Sequence, residues 1–214
     1  MWSIFSFSFL VALSGAISPG PLLTYTIIQS AKAKKLGYLM GLWIILGHAI
    51  LEMILIIFLL LGFSFILKNL VVVRIIGTLG GIILIYFGAS LIFDIYRGKI
   101  SADLSTDSAN KAFKNPVIGG VLVSMSNPYW WIWWATIGMS FMLQFKVSFQ
   151  DPLNLMAFFL GHEAGDLAWY LLVSFLVYIG LKHLNDKIYK LVLLFCSVFM
   201  IILGLYLGIS PFIS

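Results

Sequence analysis

The sequence predicts an all-α integral membrane protein, with six transmembrane helices arranged as two inverted three-helix repeats and with helices 1 and 4 broken at proline. Three observations lead to this. Six apolar runs are each long enough to cross a bilayer, only 10% of the residues are charged, and short motifs of the first three runs return in the same order in the last three.

The choice of solvent comes first. A soluble domain carries about 25% charged residues. With 10% charged and 62% hydrophobic residues and a mean hydropathy of +1.07, this chain lacks the polar surface that water requires, and lipid is its solvent. The formal net charge is +5. In a soluble protein that excess would suggest nucleic acid. Here the basic residues sit in short loops between apolar runs, where they encode topology, and no nucleic-acid partner is expected. The single cysteine, Cys196, excludes an intrachain disulfide or dithiol relay and reads as an inert packing residue.

A spanning helix needs about 20 mostly apolar residues. The six runs are roughly Ile4–Gln29, Tyr38–Leu67, Leu70–Phe93, Pro116–Leu143, Leu153–Leu181 and Leu191–Ile213. Met1–Phe9 lacks the basic start of a signal peptide and its apolar run continues beyond the usual length, so it reads as a retained first span. Several runs exceed the minimum and are expected to tilt or to be interrupted.

The loops orient the bundle. Lys32, Lys34 and Lys35 follow span 1; Arg97, Lys99, Lys111 and Lys114 follow span 3; Lys182, Lys187 and Lys190 follow span 5. The opposite side holds only Lys68, Arg74 and Lys146. This asymmetry places the odd-numbered loops in the cytoplasm and both termini outside. The longest loop, Asp94–Asn115, is Ser-rich and of mixed charge, and cannot bury much apolar area. It divides a single transporter-sized unit into repeat 1 at about 1–96, a cytoplasmic linker at about 97–115 and repeat 2 at about 116–214.

The repeat rests on three motif pairs. Ser18-Pro19-Gly20-Pro21 in span 1 matches Ser126-Asn127-Pro128 in span 4. Gly47-His48 followed by Glu52 matches Gly161-His162 followed by Asp166. Tyr86-Phe87-Gly88-Ala89-Ser90 matches Tyr206-Leu207-Gly208-Ile209-Ser210. The offsets are 108, 114 and 120 residues. Three spans is an odd number, so the second copy enters the membrane from the opposite side, as in many secondary transporters. The small-residue pairs Gly37/Gly41, Gly77/Gly81, Gly161/Gly165 and Gly204/Gly208 read as close helix packing.

Ionisable groups inside a bilayer are costly and point to function. Glu52, Glu163, Asp166, His48 and His162 all fall inside predicted spans, and the only basic residue there is Arg74, near a helix start where it can snorkel. At about 1.5 Å per residue, His48 and Glu52 lie roughly 15 and 21 Å into span 2, and His162 and Asp166 roughly 14 and 20 Å into span 5. Both pairs therefore reach the midplane, each with imidazole and carboxylate on one helix face. They read as candidates for proton coupling, because imidazole titrates near neutral pH. Two further readings stay open: a buried pair that holds helices together, and a divalent-cation exporter whose cation site is formed by His48, Glu52, His162 and Asp166. Glu163, one residue from His162, points elsewhere around the helix and has no assigned role.

Pro19, Pro21 and Pro128 lack backbone donors and Gly20 tolerates unusual dihedrals, so spans 1 and 4 are expected to break. Such breaks persist only in protein or along a wet cavity, and a half-helix that restarts at proline directs amides and a positive dipole end into the gap. Ser18, Pro19, Gly20, Pro21, Ser126, Asn127 and Pro128 are thus candidate carboxylate-binding residues, with Glu52 and Asp166 the candidates for an amine; a plain packing kink is the bland alternative. The cluster Tyr129, Trp130, Trp131, Trp133 and Trp134 reads first as an interfacial aromatic belt and second as the lining of a substrate path.

Together, the size, the six spans, the Ser18-Pro19-Gly20-Pro21 motif and Asn127-Pro128 resemble the LysE/RhtB family of amino-acid exporters over nearly the whole chain. The resemblance implies an exporter of amino acids or close derivatives in the cell (plasma or inner) membrane, driven by the proton gradient, with related families moving cations or electrons. Where many members carry a Lys soon after Asn-Pro, this chain has Tyr129 and Trp130. The expected partners are an amino-acid substrate, protons and the lipid bilayer; a homo-oligomer is left open. No cofactor is expected. No enzyme is expected either, since no serine–histidine set, metalloprotease helix or phosphate loop is present.

Overall fold

The computed structural model describes residues 1–17, 20–62, 70–98, 115–181 and 186–213. Over these residues it is helical: α1 (Trp2–Ala16), α2 (Pro21–Lys32), a 3-10 segment (Lys34–Leu39), α3 (Met40–Leu60), α4 (Leu70–Tyr96), α5 (Pro116–Met125), α6 (Pro128–Trp133), a π-helical turn (Trp134–Gly138), α7 (Met139–Gln144), α8 (Pro152–Leu181) and α9 (Asp186–Ile213).

The first apolar run is two helices, α1 and α2, bent by 80°. Ser18 and Pro19 lie outside the described residues. Helix α2 restarts at Gly20, whose backbone is extended, with Pro21 at its first position, where the missing donor costs nothing. The fourth run is likewise two pieces. Helix α5 starts on Pro116 with Asn115 as its cap, the Asn115 side chain accepting from the Val117 and Ile118 amides. It ends at Met125, and α6 restarts at Pro128. The π-turn inside this run had no counterpart in the sequence reading; such turns are rare and concentrate at functional sites. The second run extended to Leu67 in the sequence reading, but α3 ends at Leu60, and residues 63–69 lie outside the described part. So do Lys68, Lys182 and the linker residues 99–114.

The molecule is inside out relative to a soluble protein. Helix α3 exposes Trp43, Leu46, Ile50, Met53, Ile54 and Ile57, while Ser8, Thr26, Ser30, Ser124, Ser174 and the His/acid residues are buried. Soluble monomers rarely expose continuous apolar faces of this kind; hydrocarbon favours them. Among the described residues, Lys35–Leu60 and Pro152–Gly180 are each long and apolar enough to cross a membrane, as is the bent pair of α1 and α2 taken together. Helices α4 and α9, of 27 and 28 residues, each extend about 40 Å.

Lipid tails do not drive helices together, so association depends on close packing and buried hydrogen bonds. Helix α1 lies along α8, α3 along α5, and α4 along α9. Gly161 and Gly165 of α8 admit the α1 backbone at Phe5 and Phe9; Gly47 of α3 admits Val117 of α5, and Gly120 of α5 admits Ile44 of α3. Polar bonds reinforce these seams. Ser8 donates to the Phe158 carbonyl at 2.6 Å, Ser30 donates to Ser174 at 2.9 Å, and the Gly41 amide donates to the same Ser174 at 2.8 Å.

The core divides into two apolar clusters, one around Tyr25, Ile44, Leu84 and Val123, the other around Leu55, Trp134, Met142 and Phe158. Along α3 the first takes Ile44 and Ile45 and the second takes Leu51, Leu55 and Ile56, leaving His48 between them. Along α8 the order is reversed, from Phe158 to Tyr170, and His162 and Asp166 fall in the same interval. The two helices run in opposite directions, and the polar residues meet at the level where the apolar clusters stop.

A Cβ at Gly47 would fall on the Val117 backbone carbonyl, which cannot move as a flexible side chain would. Gly47→Ala is expected to destabilise the α3–α5 seam by about 1–3 kcal/mol. Thermal unfolding in detergent measures it, and a variant as stable as wild type would show that this seam is not close-packed.

Candidate functional site

His48 and Glu52 are one helical turn apart on α3, and His162 and Asp166 one turn apart on α8. The structure brings both pairs to a single point. His48 Nε2 lies 3.1 Å from Glu52 Oε1 and 3.4 Å from Asp166 Oδ2. His162 Nε2 lies 3.3 Å from Glu52 Oε2 and 3.8 Å from Asp166 Oδ2. The four side chains close a ring in which imidazole and carboxylate alternate, and each helix supplies one of each. Glu52 is 1% exposed, and the other three are also buried. The sequence sets each imidazole beside its own carboxylate on one helix face and leaves a joint site of all four residues open; the contacts from His48 to Asp166 and from His162 to Glu52 come from the structure.

The ring is braced from outside. Trp130 and Trp134 each donate an indole N–H to Glu52 Oε1 at 2.8 Å. Their four-residue spacing puts them on one face, where the π-turn begins. His48 Nδ1 is 2.7 Å from Ser124 Oγ on α5. His162 is wedged by rings instead, with centroids of Trp133 and Trp134 at 5.3 and 5.2 Å. These contacts overturn the interfacial-belt reading for three members of the aromatic cluster: Trp130 and Trp134 are buried in the core, and Trp133 packs on His162. A buried indole needs an acceptor for its N–H, and Glu52 is that acceptor for two of them. Trp131 donates to the Met125 carbonyl at the end of α5. The Tyr129 side chain lies outside the described residues.

Glu163 is also nearer the site than its position around the helix implied. Glu52, His48 and Asp166 are the charges that act on it, and both its carboxylate oxygens are buried. It is a third carboxyl at the edge of the ring.

A cavity of about 490 Å³ opens beside the ring, lined by all four ring residues and by Gly20, Pro21, Ser124, Asn127 and Tyr170 among others. Its size is within the usual range for small-ligand sites, and among the described residues its lining includes no Lys or Arg. Of the predicted carboxylate-binding residues, Gly20, Pro21 and Asn127 reach it. Ser126 does not: its hydroxyl donates back to Leu122 in its own helix at 2.5 Å. Pro128 opens α6, and its side chain lies outside the described residues, as do Ser18 and Pro19. Both helix breaks therefore abut one cavity, and the His/acid ring forms another part of its wall.

Sequence reasoning passed over Ser124 and Tyr170. Tyr170 was within reach, since His162, Asp166 and Tyr170 repeat at four-residue spacing on one face. Ser124 carried no signal, because its role depends on which helix lies opposite His48.

Compared with known proteins, the chain matches the family model of the LysE type translocator over residues 13–211. No curated protein and no solved structure matches it.

Trp134→Phe keeps an aromatic ring of smaller volume and removes one of the two N–H groups held by Glu52. The loss of a hydrogen bond to a buried acceptor is expected to lower stability by about 1–3 kcal/mol. Chemical or thermal unfolding in detergent reads this directly, and unchanged stability would mean that Glu52 is held by other contacts.

Proposed function

Because the chain belongs to the LysE type translocator family, a family of membrane transporters, we propose that it is a secondary transporter exporting amino acids or close derivatives across the cell membrane in exchange for protons. The observation that carries this reading is the position of the ring on the wall of a cavity that both helix breaks also reach. A zwitterion needs an anion site and a cation site a few ångströms apart. The first-turn amides of α2, which have no intrahelical acceptors, and Asn127 provide for the α-carboxylate. Glu52 and Asp166 provide for the α-amine. His48 and His162 lie against both carboxylates and are placed to hold the exchanged proton while substrate is absent.

An inverted repeat supports alternating access. The α1–α8 and α3–α5 seams exchange roles when the two halves are swapped, and Gly47 and Gly161, one motif position before each histidine, sit at the two seams. Binding at the centre with each half closing in turn is the usual operation of such repeats. The loop charges support both termini outside. Membrane-impermeant labelling of single cysteines introduced at Lys35 and Lys146 in whole cells is expected to modify only the Lys146 position; the reverse would invert the assignment.

Transport is tested in proteoliposomes under an imposed pH gradient with a panel of radiolabelled amino acids. Gradient-driven flux of at least one amino acid is expected. Glu52→Gln and Asp166→Asn should each reduce it at least about tenfold, a loss equivalent to about 1.4 kcal/mol, while the protein stays monodisperse. Flux that persists in both variants removes the ring from the transport path, and no flux of any amino acid removes the substrate class.

A further inference from the structure

Beyond amino-acid transport, we infer that the His48–Glu52–His162–Asp166 ring is a binding site for one divalent transition-metal ion. The geometry points there first. Each imidazole Nε2 presents either one proton or one lone pair, yet each faces two carboxylates: at 3.1 and 3.4 Å for His48, and at 3.3 and 3.8 Å for His162. One proton aims well at only one acceptor, so hydrogen bonds cannot serve all four edges. A cation at the centre serves all of them. Ligands about 2.0–2.1 Å from a tetrahedral ion lie about 3.3 Å from one another; with Glu52 Oε2 as the donor atom of Glu52, the separations from His162 Nε2 to Oε2, from His48 Nε2 to Asp166 Oδ2 and from His162 Nε2 to Asp166 Oδ2 are 3.3, 3.4 and 3.8 Å. Donor atoms of His48, Glu52 and Asp166 come together within 4.8 Å.

The surroundings agree. Metal-bound histidines commonly pass their other ring N–H to an oxygen, and His48 Nδ1 is already on Ser124 Oγ at 2.7 Å. Glu52 Oε1 is fixed by Trp130 and Trp134, while Oε2 takes neither indole and faces His162 Nε2 at 3.3 Å. Two carboxylates with two neutral imidazoles carry a charge of minus two, which a divalent ion cancels, and among the described residues no Lys or Arg lines the cavity to do so instead. Two imidazoles and two carboxylates, with no thiolate, suit Zn2+, Co2+, Fe2+ or Mn2+. The ion would occupy one wall of the cavity and leave room for a small solute beside it.

The test uses full-length protein without an affinity tag, stripped with a chelator, in detergent near neutral pH. It is titrated with Co2+, with bound metal counted after dialysis and tryptophan fluorescence recorded. One Co2+ per chain is expected, displaced by Zn2+, with quenching because Trp130 and Trp134 touch a ligand. His48→Ala and Asp166→Asn should weaken binding by more than about tenfold. Ser124→Ala, which keeps every ligand, should weaken it about tenfold. No Co2+ bound by wild type overturns the proposal, and so does equal binding in the ligand variants. If those variants fail to fold, unchanged affinity in Ser124→Ala overturns it. Amino-acid flux in chelator-treated proteoliposomes separates the two readings: flux without metal binding removes this one alone, and metal binding without flux removes the other alone.

Discussion

The constraint on which this structure depends is the placement of charge in a solvent that cannot hydrate it. An acidic or basic residue at the centre of a membrane helix costs about 2.5–3.5 kcal/mol, and three acids lie within α3 and α8. Glu52 and Asp166 are relieved by closing a ring with His48 and His162. That closure sets the distance between α3 and α8, the level at which they cross, and the depth of the site. A shift of either helix by one residue along its axis, about 1.5 Å, would disturb the two contacts that cross between the helices, His48 to Asp166 and His162 to Glu52. The ring therefore works as a register pin as well as a chemical group.

The rest of the bundle follows from keeping that register. Helices that carry a polar centre must approach closely there, and glycine supplies the approach: Gly47 lets α5 bring Ser124 to His48, and Gly161 seats α1 against α8 next to His162. Above and below, two separate apolar clusters seal the polar layer from both sides. The helix breaks belong to the same logic. Backbone freed from helical bonding is tolerated only beside protein or a wet cavity, and both breaks open where the ring already makes the interior polar. The ring, the breaks and the cavity thus share one polar level.

The aromatic cluster shows how one group of side chains changes meaning with context. Four tryptophans within Trp130–Trp134 fit the habit of the membrane interface, where an indole has an apolar body and a wet edge. In this bundle Trp130 and Trp134 find the polar partner inside, at Glu52, and the π-turn from Trp134 to Gly138 lies where their helix meets the ring. The same amphipathic side chain serves either place; what decides is whether an unpaired acceptor lies within reach.

By itself, the sequence determined the solvent, the helical class and the identity of the ring residues. Composition decides between water and lipid, hydrophobic runs decide helix, and an ionisable residue in such a run stands out because it is costly. The four-residue spacing also placed His48 with Glu52 and His162 with Asp166, since a helix brings those positions onto one face. Only the tertiary structure decided that the two pairs form one ring, that Trp130, Trp134 and Ser124 brace it, and that Glu163 reaches its edge. Those facts depend on how α3, α5, α6 and α8 are rotated and staggered against each other. Periodicity along one helix constrains its own faces but carries no information about which face of another helix it meets; side-chain packing and buried hydrogen bonds settle that.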